Sequence, residues 1–177
     1  MKDTMSTHII IDGYNLIRQS ESLSLLDLQD IQIGRDALID MLAAYKKLKS
    51  HRITVVFDGI AAPSFSQHRH RRKGISIVFS HKGESADTVI KKMARKERQR
   101  ALVVSSDRDI VQSAEASGAA TVSADEFEAK LTMSRNMDHL QPDRDEYEGW
   151  QPTTKKKGPS RRLSKRQRKN SAKVRKL

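Results

Sequence analysis

The chain has 177 residues, of which 36% are hydrophobic and 32% are charged, and its formal net charge is +12. This length suits one compact domain with some further chain, and the absence of cysteine excludes disulfides and thiolate metal sites. No apolar run reaches the roughly 20 residues that span a bilayer, and the start, MKDTMSTH, lacks the apolar segment of a signal peptide. We therefore expect a cytoplasmic protein that does not act at membranes.

Apolar runs of strand length alternate with segments of helical period along the first 132 residues. The predicted strands are HIIID (8–12), RITVVFD (52–58), GISIVFS (74–80), ALVVSSD (101–107) and AATVS (119–123). The predicted helices cover residues 30–50, 85–98, 108–118 and 124–131. Continuous valine and isoleucine runs between helices are typical of a parallel sheet buried on both faces. The pattern therefore predicts a three-layer α/β domain with a mostly parallel central sheet.

The excess positive charge lies at the end of the sequence. Residues 1–132 hold 20 Lys and Arg against 17 Asp and Glu, and residues 133–150 hold 2 against 5. Residues 151–177 hold 12 basic residues and no acidic one. This last segment has no aromatic residue and few apolar ones, so burial cannot offset the entropy of ordering it. We expect a domain over 1–132, an acidic linker over 133–150 and a disordered Lys/Arg-rich tail over 151–177.

Three predicted strands end in an aspartate, namely Asp12, Asp58 and Asp107. Right-handed crossovers place the carboxyl ends of parallel strands at one edge of the sheet, where α/β folds form their sites. Asp109 follows closely in sequence, and Asp87 lies in the first turn of a helix whose preceding loop leads back to that edge. Each aspartate taken alone also fits an ordinary helix N-cap.

Carboxylates gathered at one edge raise one another's pKa and cost stability unless a cation neutralises them. Carboxylate, amide and water oxygens are the ligands that Mg²⁺ and Mn²⁺ prefer. We therefore expect a hydrated Mg²⁺ or Mn²⁺ ion at this edge, where it would activate water for phosphodiester hydrolysis. No cysteine and no Ser–His pair stands out as an alternative nucleophile.

Four motifs occur in the order IIIDGYNLI, VVFDG, ESADTVI and VVSSDRDI. In this combination the chain resembles the NYN branch of the PIN-like nucleases, and within that branch the bacterial YacP-like group. The likeness covers roughly residues 7–131. It implies a Rossmann-like PIN fold and the activity of a metal-dependent endoribonuclease.

The resemblance also implies which residues form the metal site. The positions that match the family's catalytic and metal-lining motifs are Asp12, Asn15, Asp87 and Asp107. The further acidic positions that match near the metal are Asp58 and Asp109. Many PIN-like nucleases carry another acid on the helix after the first strand, and helical spacing does not choose between Asp36 and Asp40 for that place.

Three polar residues near these acids each keep two interpretations. Asn15 fits a helix cap or a turn, and it equally fits an amide that orients Asp12 or touches the substrate. Ser105 and Ser106 fit packed hydroxyls at the end of a strand, or donors to the carboxylates.

The loop SFSQHRHRRKG (64–74) is rich in cations and follows the second predicted strand, so we expect it to overhang the acidic edge. The residues expected to contact RNA phosphates there are Arg69, Arg71, Arg72 and Lys73. A solvated hairpin loop explains the same composition.

The basic tail suits a polyanion, and it lacks aromatic side chains that would stack on bases, so we expect phosphate contacts with little sequence preference. The tail residues expected to contact RNA are Lys155, Lys156, Lys157, Arg161, Arg162, Lys165, Arg166, Arg168 and Lys169. The expected partner is structured RNA, with the ribosome and its RNA as candidates, and the protein is expected to be a monomer. No glycine-rich phosphate loop follows a strand, so no nucleotide cofactor is expected. The alternative function is a non-catalytic RNA- or ribosome-binding protein whose acids only cap helices.

Overall fold

The computed structural model describes residues 6–59, 68–139 and 164–177, and within these ranges it contains six strands and seven α-helices. The strands are β1 (His8–Asp12), β2 (Arg52–Phe57), β3 (Arg69–Arg72), β4 (Ile75–Phe79), β5 (Ala101–Val104) and β6 (Ala120–Val122). The helices are α1 (Gly13–Gln19), α2 (Glu21–Gln29), α3 (Ile31–Leu48), α4 (Ala86–Glu97), α5 (Arg108–Ala116), α6 (Ala124–His139) and α7 (Lys165–Val174). In the described ranges no helix combines the length and the apolar character needed to cross a membrane.

The strands form one sheet in the order β3-β4-β2-β1-β5-β6. Every neighbouring pair is parallel except β3 and β4, which are antiparallel. The four central parallel strands start at the amino edge, which we define by His8, Arg52, Ile75 and Ala101. They end at the carboxyl edge, which we define by Asp12, Phe57, Phe79 and Val104. The predicted α/β fold with a mostly parallel sheet is confirmed.

Helices cover both faces of the sheet, as the fully buried strands require. On one face, the helix residues packed into the core include Leu38, Ile39, Leu42 and Phe127 of α3 and α6. On the other face, they include Ile90, Ala94, Ile110 and Ala114 of α4 and α5. Ile31 and Leu48, which helical spacing assigns to the buried side of α3, are exposed instead.

The sequence pattern does not predict helices α1 and α2. Ser20 caps α2, with its Oγ accepting a hydrogen bond of 3.2 Å from the Leu23 backbone N–H. Leu25 and Leu28 of α2 are exposed, Leu28 to 83%. Because the leucines of α2 do not share one buried face, this helix lacks the apolar period by which helices are recognised.

Strand β3 lies in the segment that we expected to be a loop. Lys73 (φ 51°) and Gly74 (φ 80°) form its two-residue connection to β4, and both have the left-handed backbone that type I′ hairpin turns require. The pairing ends with Arg72 opposite Ile75, at the amino edge. The basic segment therefore descends from the carboxyl edge instead of overhanging it throughout.

The C-terminal segment also differs from the expectation of a linker and a disordered tail. Helix α6 continues through His139, into the predicted linker. Helix α7 lies against the edge strand β6, where Asn170 makes two hydrogen bonds with the Thr121 backbone. The Thr121 N–H donates to Asn170 Oδ1 at 2.8 Å, and Asn170 Nδ2 donates to the Thr121 carbonyl at 3.1 Å. The amide thus satisfies backbone groups that an edge strand leaves unpaired.

Apolar burial completes the docking of α7. Leu177 is 8% exposed and belongs to the same core as α3, and Val174 packs against that core. The Tyr45 hydroxyl donates to the Leu177 carbonyl oxygen at 3.0 Å, and Lys173 Nζ donates to the Ala101 carbonyl oxygen at 3.2 Å. The expectation of disorder is therefore wrong for residues 164–177. The rest of the predicted linker and tail, from residue 140 to residue 163, lies outside the described residues.

Candidate active site at the carboxyl edge

Asp12 ends β1 and caps helix α1. Its Oδ1 accepts a hydrogen bond of 3.2 Å from the Asn15 backbone N–H, which is the usual N-cap contact. Gly13 follows directly, and a Cβ at that position would lie 2.3 Å from the ring of Phe57. The glycine therefore allows α1 to begin against the end of β2, and the Asp12 side chain is left in a buried position with 9% exposure.

Burial raises the pKa of the Asp12 carboxyl above its ordinary value, and the negative charges of Asp87 and Asp107 raise it further. The hydrogen bonds from the Asn15 N–H and from the Ser105 hydroxyl act in the opposite direction. Asp87 and Asp107 are thus the acids whose charges act on the Asp12 carboxyl. An ionised carboxylate at Asp12 costs free energy in this environment unless a cation compensates it.

Asp107 is joined to Asp12 through one serine hydroxyl. Ser105 Oγ donates to Asp12 Oδ2 at 3.2 Å and accepts from the Asp107 backbone N–H at 3.1 Å. Asp107 itself caps α5, with Oδ1 accepting from the N–H groups of Asp109 (2.7 Å) and Ile110 (3.3 Å). Of the two interpretations of Ser105, the donor to a carboxylate is therefore the correct one.

Asn15 and Ser106 connect the two loops that carry these acids. The Ser106 N–H donates to Asn15 Oδ1 at 2.9 Å, so the amide ties α1 to the loop after β5. The Ser106 hydroxyl donates to Gln19 Oε1 at 2.9 Å and accepts from the Ala124 N–H at 3.1 Å. Asn15 contacts Asp12 through its backbone, and its side-chain oxygen fixes the position of the loop between Ser105 and Asp107.

Asp87 lies in the first turn of α4, half-buried, behind the N-cap Ser85. The Ser85 hydroxyl accepts a hydrogen bond of 3.2 Å from the Thr88 N–H, which is the usual contact of an N-cap serine. Asp109 has a different surrounding, because its carboxylate is 76% exposed and forms an ion pair with Lys91 of α4. The charge of Asp87 thus acts on the Asp12 carboxyl, whereas Asp109 links α4 to α5 at the surface.

Asp58 belongs to a second group of charges at the carboxyl edge. Burial raises the pKa of the Tyr14 hydroxyl, the neighbouring Arg35 lowers it, and the charges of Asp27 and Asp58 raise it. Arg35 is buried, donates through Nε to the Tyr14 hydroxyl at 2.8 Å, and lies 5.3–5.6 Å from three aromatic ring centroids. No local sequence pattern predicts this Tyr14–Arg35 pair, although Tyr14 stands between Asp12 and Asn15 in the first motif.

Asp36 and Asp40, the two candidates for a further acid, lie on a different part of the surface. Asp36 forms an ion pair with Arg72, and Asp40 forms one with Lys73. These pairs bind helix α3 to the β3–β4 hairpin. Two of the four cations of the 64–74 segment that we expect to contact RNA, Arg72 and Lys73, are therefore held by carboxylates of the same chain.

The other residues expected to contact RNA do not lie together in one part of the structure. Arg69 lies near the carboxyl edge, in a cavity of about 340 Å³ that Lys92 also lines. Arg168 and Lys169 are exposed on α7. Lys165 and Arg166 belong to the described backbone of α7, but their side chains do not belong to the described part of the structure. The remaining tail positions, Lys155, Lys156, Lys157, Arg161 and Arg162, lie outside the described residues.

The polar side chains near Asp12 offer mainly oxygen atoms as possible metal ligands. In the described part of the chain, no group of three or more His, Cys, Asp or Glu side chains is placed to hold a metal ion together. Mg²⁺ usually retains several waters and takes one or two protein carboxylates plus substrate phosphates. The described acids therefore do not form a ready three-ligand site, and an ion held here would need water and substrate oxygens beside one or two carboxylates.

Three comparisons with known proteins agree with the architecture. The profile of the YacP-like NYN domain matches residues 9–176. The protein YacP of Bacillus subtilis (strain 168) is 32% identical over 89 residues, which are 49% of this chain and 51% of that protein. The aligned chain thus spans about half the length of that relative.

Two crystal structures of Rae1 (YacP) from Bacillus subtilis, one of them a mutant, have similar folds. The mutant structure gives a TM-score of 0.63 at 26% identity and covers 75% of this chain and 79% of its own. The other structure gives a TM-score of 0.61 at 25% identity, with 74% and 76% covered. The profile match also extends into α7, which agrees with a C-terminal helix that is part of the fold.

Proposed function

The chain belongs to the family of YacP-like NYN domains, which are nuclease-type domains of the PIN-like class, and from this premise we propose that it is a Mg²⁺- or Mn²⁺-dependent endoribonuclease. The observation that carries the proposal is the coupling of a buried carboxylate, Asp12, to the charges of Asp87 and Asp107. Such an arrangement costs stability without a cation. A divalent ion held at this edge by a hydrolase would compensate that cost.

The roles of the residues follow from their contacts. Ionised Asp12 and Asp107 would hold the cation, and Asp87 would add negative charge from the start of α4. Ser105, which donates to the Asp12 carboxylate and accepts from the Asp107 backbone N–H, would hold the start of the Asp107 loop against Asp12. A bound divalent ion supplies Lewis-acid activation of the phosphate and of water.

The substrate would be held by cations near the same edge. Arg69 lies at the carboxyl-edge end of β3, in a cavity that also contains Lys92 of α4 and the Glu84 carboxylate with which Lys92 pairs. Phosphate contacts position a nucleic acid without selecting its sequence. We therefore propose that Arg69 contacts a phosphate of the RNA that enters the site. The substrate class would be structured RNA, either free or in the ribosome.

The test is a cleavage assay on labelled RNA, both free and ribosome-associated, in Mg²⁺, Mn²⁺ or EDTA. The matched control is Asp107→Asn, because Asn caps a helix as well as Asp does while it removes the charge. We expect cleavage in Mg²⁺ or Mn²⁺, none in EDTA, and at least a 100-fold loss in the variant. Cleavage that persists in EDTA, or that Asp107→Asn leaves unchanged, would exclude the proposal.

A second candidate is an RNA- or ribosome-binding protein without catalysis. Two observations favour it: Asp12 and Asp107 both serve as helix caps, and the described residues contain no three-ligand cluster. RNA binding without cleavage in any metal, on free RNA and on ribosomes, would select this function.

A further inference from the structure

The amino edge of the sheet carries a cavity of about 460 Å³, at the opposite end of the strands from the carboxylates. Four basic or titratable side chains line it, together with three serines. The lining residues with these side chains are Lys46, His51, Arg52, Arg71, Ser6, Ser50 and Ser76. Ile53 and Gly74 complete the lining that the structure describes, and none of these described residues is acidic.

Two of the cations are held in place by backbone carbonyl groups. Lys46 Nζ donates to the His51 carbonyl oxygen at 2.8 Å, and Arg71 Nε donates to the Gly74 carbonyl oxygen at 3.3 Å. Each contact uses one donor, and the remaining donors of Lys46 and Arg71 have no protein partner among the described residues. Arg52 is shared with Glu97, whose Oε1 lies 3.7 Å from Arg52 Nη1. Lys46 and Arg71 are therefore the best-placed groups for an anion.

The chemistry of the lining selects a phosphate. Ammonium and guanidinium groups give charge-assisted hydrogen bonds to phosphate oxygens, and serine hydroxyls add further donors. A cavity open to solvent and lined in this way accepts a tetrahedral anion on a larger molecule more readily than an apolar ligand.

Strand β3 connects this cavity to the carboxyl edge. Successive side chains of a strand alternate between its faces, and His70 stacks on Phe79 while Arg72 pairs with Asp36, so these two share the α3 side. Arg69 and Arg71 share the other side, where Arg69 borders the cavity that contains Lys92. The edge strand thus presents one arginine near each end of the sheet.

We propose that the amino-edge cavity, with Lys46 and Arg71 as its principal ligands, binds a backbone phosphate of the RNA at a distance from the carboxylates. The identity of the ligand as RNA rests on the proposed function. The five residues of β1 run from one edge to the other, and their four intervals span roughly 13 Å at about 3.3 Å per residue in a parallel strand. A stacked strand places phosphates about every 3.4 Å along its axis, so on the order of four nucleotides separate the two contacts.

The test measures RNA binding in full-length protein that carries Asp107→Asn, so that cleavage does not interfere. Arg71→Gln removes the ligand, Arg71→Lys keeps the charge, and Lys47→Gln is the matched control, because Lys47 is an exposed cation of α3 outside the lining. We expect Arg71→Gln to weaken the binding of a 12-nucleotide RNA roughly tenfold. We also expect it to lower the slope of log K against log salt by about one.

The control variant and the short RNA distinguish a specific phosphate site at Arg71 from general electrostatic attraction of RNA to the basic surface. Lys47→Gln should change affinity less than twofold, Arg71→Lys should restore part of it, and a trinucleotide should bind both Arg71 variants equally. Equal losses for Arg71→Gln and Lys47→Gln, or an equal loss with the trinucleotide, would overturn the inference. Thermal denaturation of each variant shows whether it is folded. This assay measures binding and not cleavage. The amino-edge site can therefore be disproved while the proposed endoribonuclease activity stands, and the activity can be disproved while RNA binding at the amino edge stands.

Discussion

The two ends of strand β1 each bury an ionisable side chain, His8 at the amino edge and Asp12 at the carboxyl edge. Burial lowers the pKa of His8 and raises the pKa of Asp12, so both positions favour the neutral form. Their neighbours differ. His8 Nε2 hydrogen-bonds the Thr54 hydroxyl at 2.8 Å, and Glu97 lies 3.4 Å from Nδ1, within ion-pair distance but without hydrogen-bond geometry.

Asp12 has two further acids as its influential neighbours, and these make its burial more costly. The amino edge instead gathers contacts that hold the fold together, including the docking of the C-terminal segment at Tyr45. The carboxyl edge thus brings together acids that destabilise the fold, as a cation-binding site would, whereas the contacts at the amino edge stabilise the fold.

The largest expected effect is that of Asp12→Asn. Asparagine keeps the helix cap and removes a carboxylate that is costly to ionise, so we expect cleavage to fall at least 100-fold while the melting temperature rises. Cleavage rates and thermal denaturation at pH 7 measure the two effects on one protein preparation. A variant that cleaves normally, or that melts below the wild type, would remove the distinction between the two edges.

The next effect concerns the amino edge. Leu177→Ala should lower the free energy of unfolding by roughly 2 kcal/mol, at the low end for a buried leucine, because Leu177 lies at the margin of the core. Tyr45→Phe should cost about 1 kcal/mol through its lost hydrogen bond. Urea denaturation measures both, with the exposed Lys176→Ala as control. If Leu177→Ala is as stable as the control, α7 is not docked as described.

The pH dependence of stability separates the two ends of β1. The unfolded chain protonates His8 near its ordinary pKa of 6.5, whereas the folded pKa is lower, so its contribution is complete above pH 6.5 and is lost as the pH falls. Asp12 has the opposite sign, because its raised pKa makes its contribution most favourable at low pH and reduces it as the pH rises.

Denaturation between pH 8 and pH 5 should therefore show a loss of stability toward pH 5 that is smaller in His8→Asn. The slope in Asp12→Asn should be steeper than in the wild type, since the compensating carboxyl is gone. If the free energy of unfolding falls equally toward pH 5 in the wild type and in His8→Asn, protonation of His8 does not cause that loss of stability.

The smallest effects are expected for Asp36→Asn and Asp40→Asn. Their ion pairs with Arg72 and Lys73 are largely solvent-exposed, so each should change stability by no more than about 0.5 kcal/mol. Cleavage should stay within twofold of the wild type, because neither acid lies with the coupled carboxylates. A large loss of cleavage in either variant would mean that the site extends onto α3.

Much of the carboxyl edge could be predicted from the sequence, because the evidence for it is local. Valine and isoleucine runs indicate the parallel strands, and the right-handed crossover rule then brings Asp12, Asp87 and Asp107 to one edge. The cap at Ser85 is equally local. What the sequence could not supply was the Ser105 hydroxyl between two acids, since a serine at a strand end fits packing and hydrogen bonding alike.

The amino edge was harder to predict, because its contacts join distant parts of the chain. The charge density of the last residues indicates disorder, and no pattern reveals that Asn170 pairs with the edge of β6 or that Leu177 reaches the core. Likewise, the pairing of β3 with β4 decides where Arg72 and Lys73 lie. The composition therefore identifies these segments as basic, but it does not predict where their side chains lie in the fold.

The central claim is that Asp12, Asp87 and Asp107 act together on one divalent cation. Calorimetric titration of RNA-free protein with Mn²⁺ tests it most directly, in the wild type, in the three single Asp→Asn variants and in Asp40→Asn as control. We predict that each of the three variants weakens Mn²⁺ binding at least tenfold and that the control binds like the wild type. Mn²⁺ affinity that is unchanged in all three variants would contradict the account.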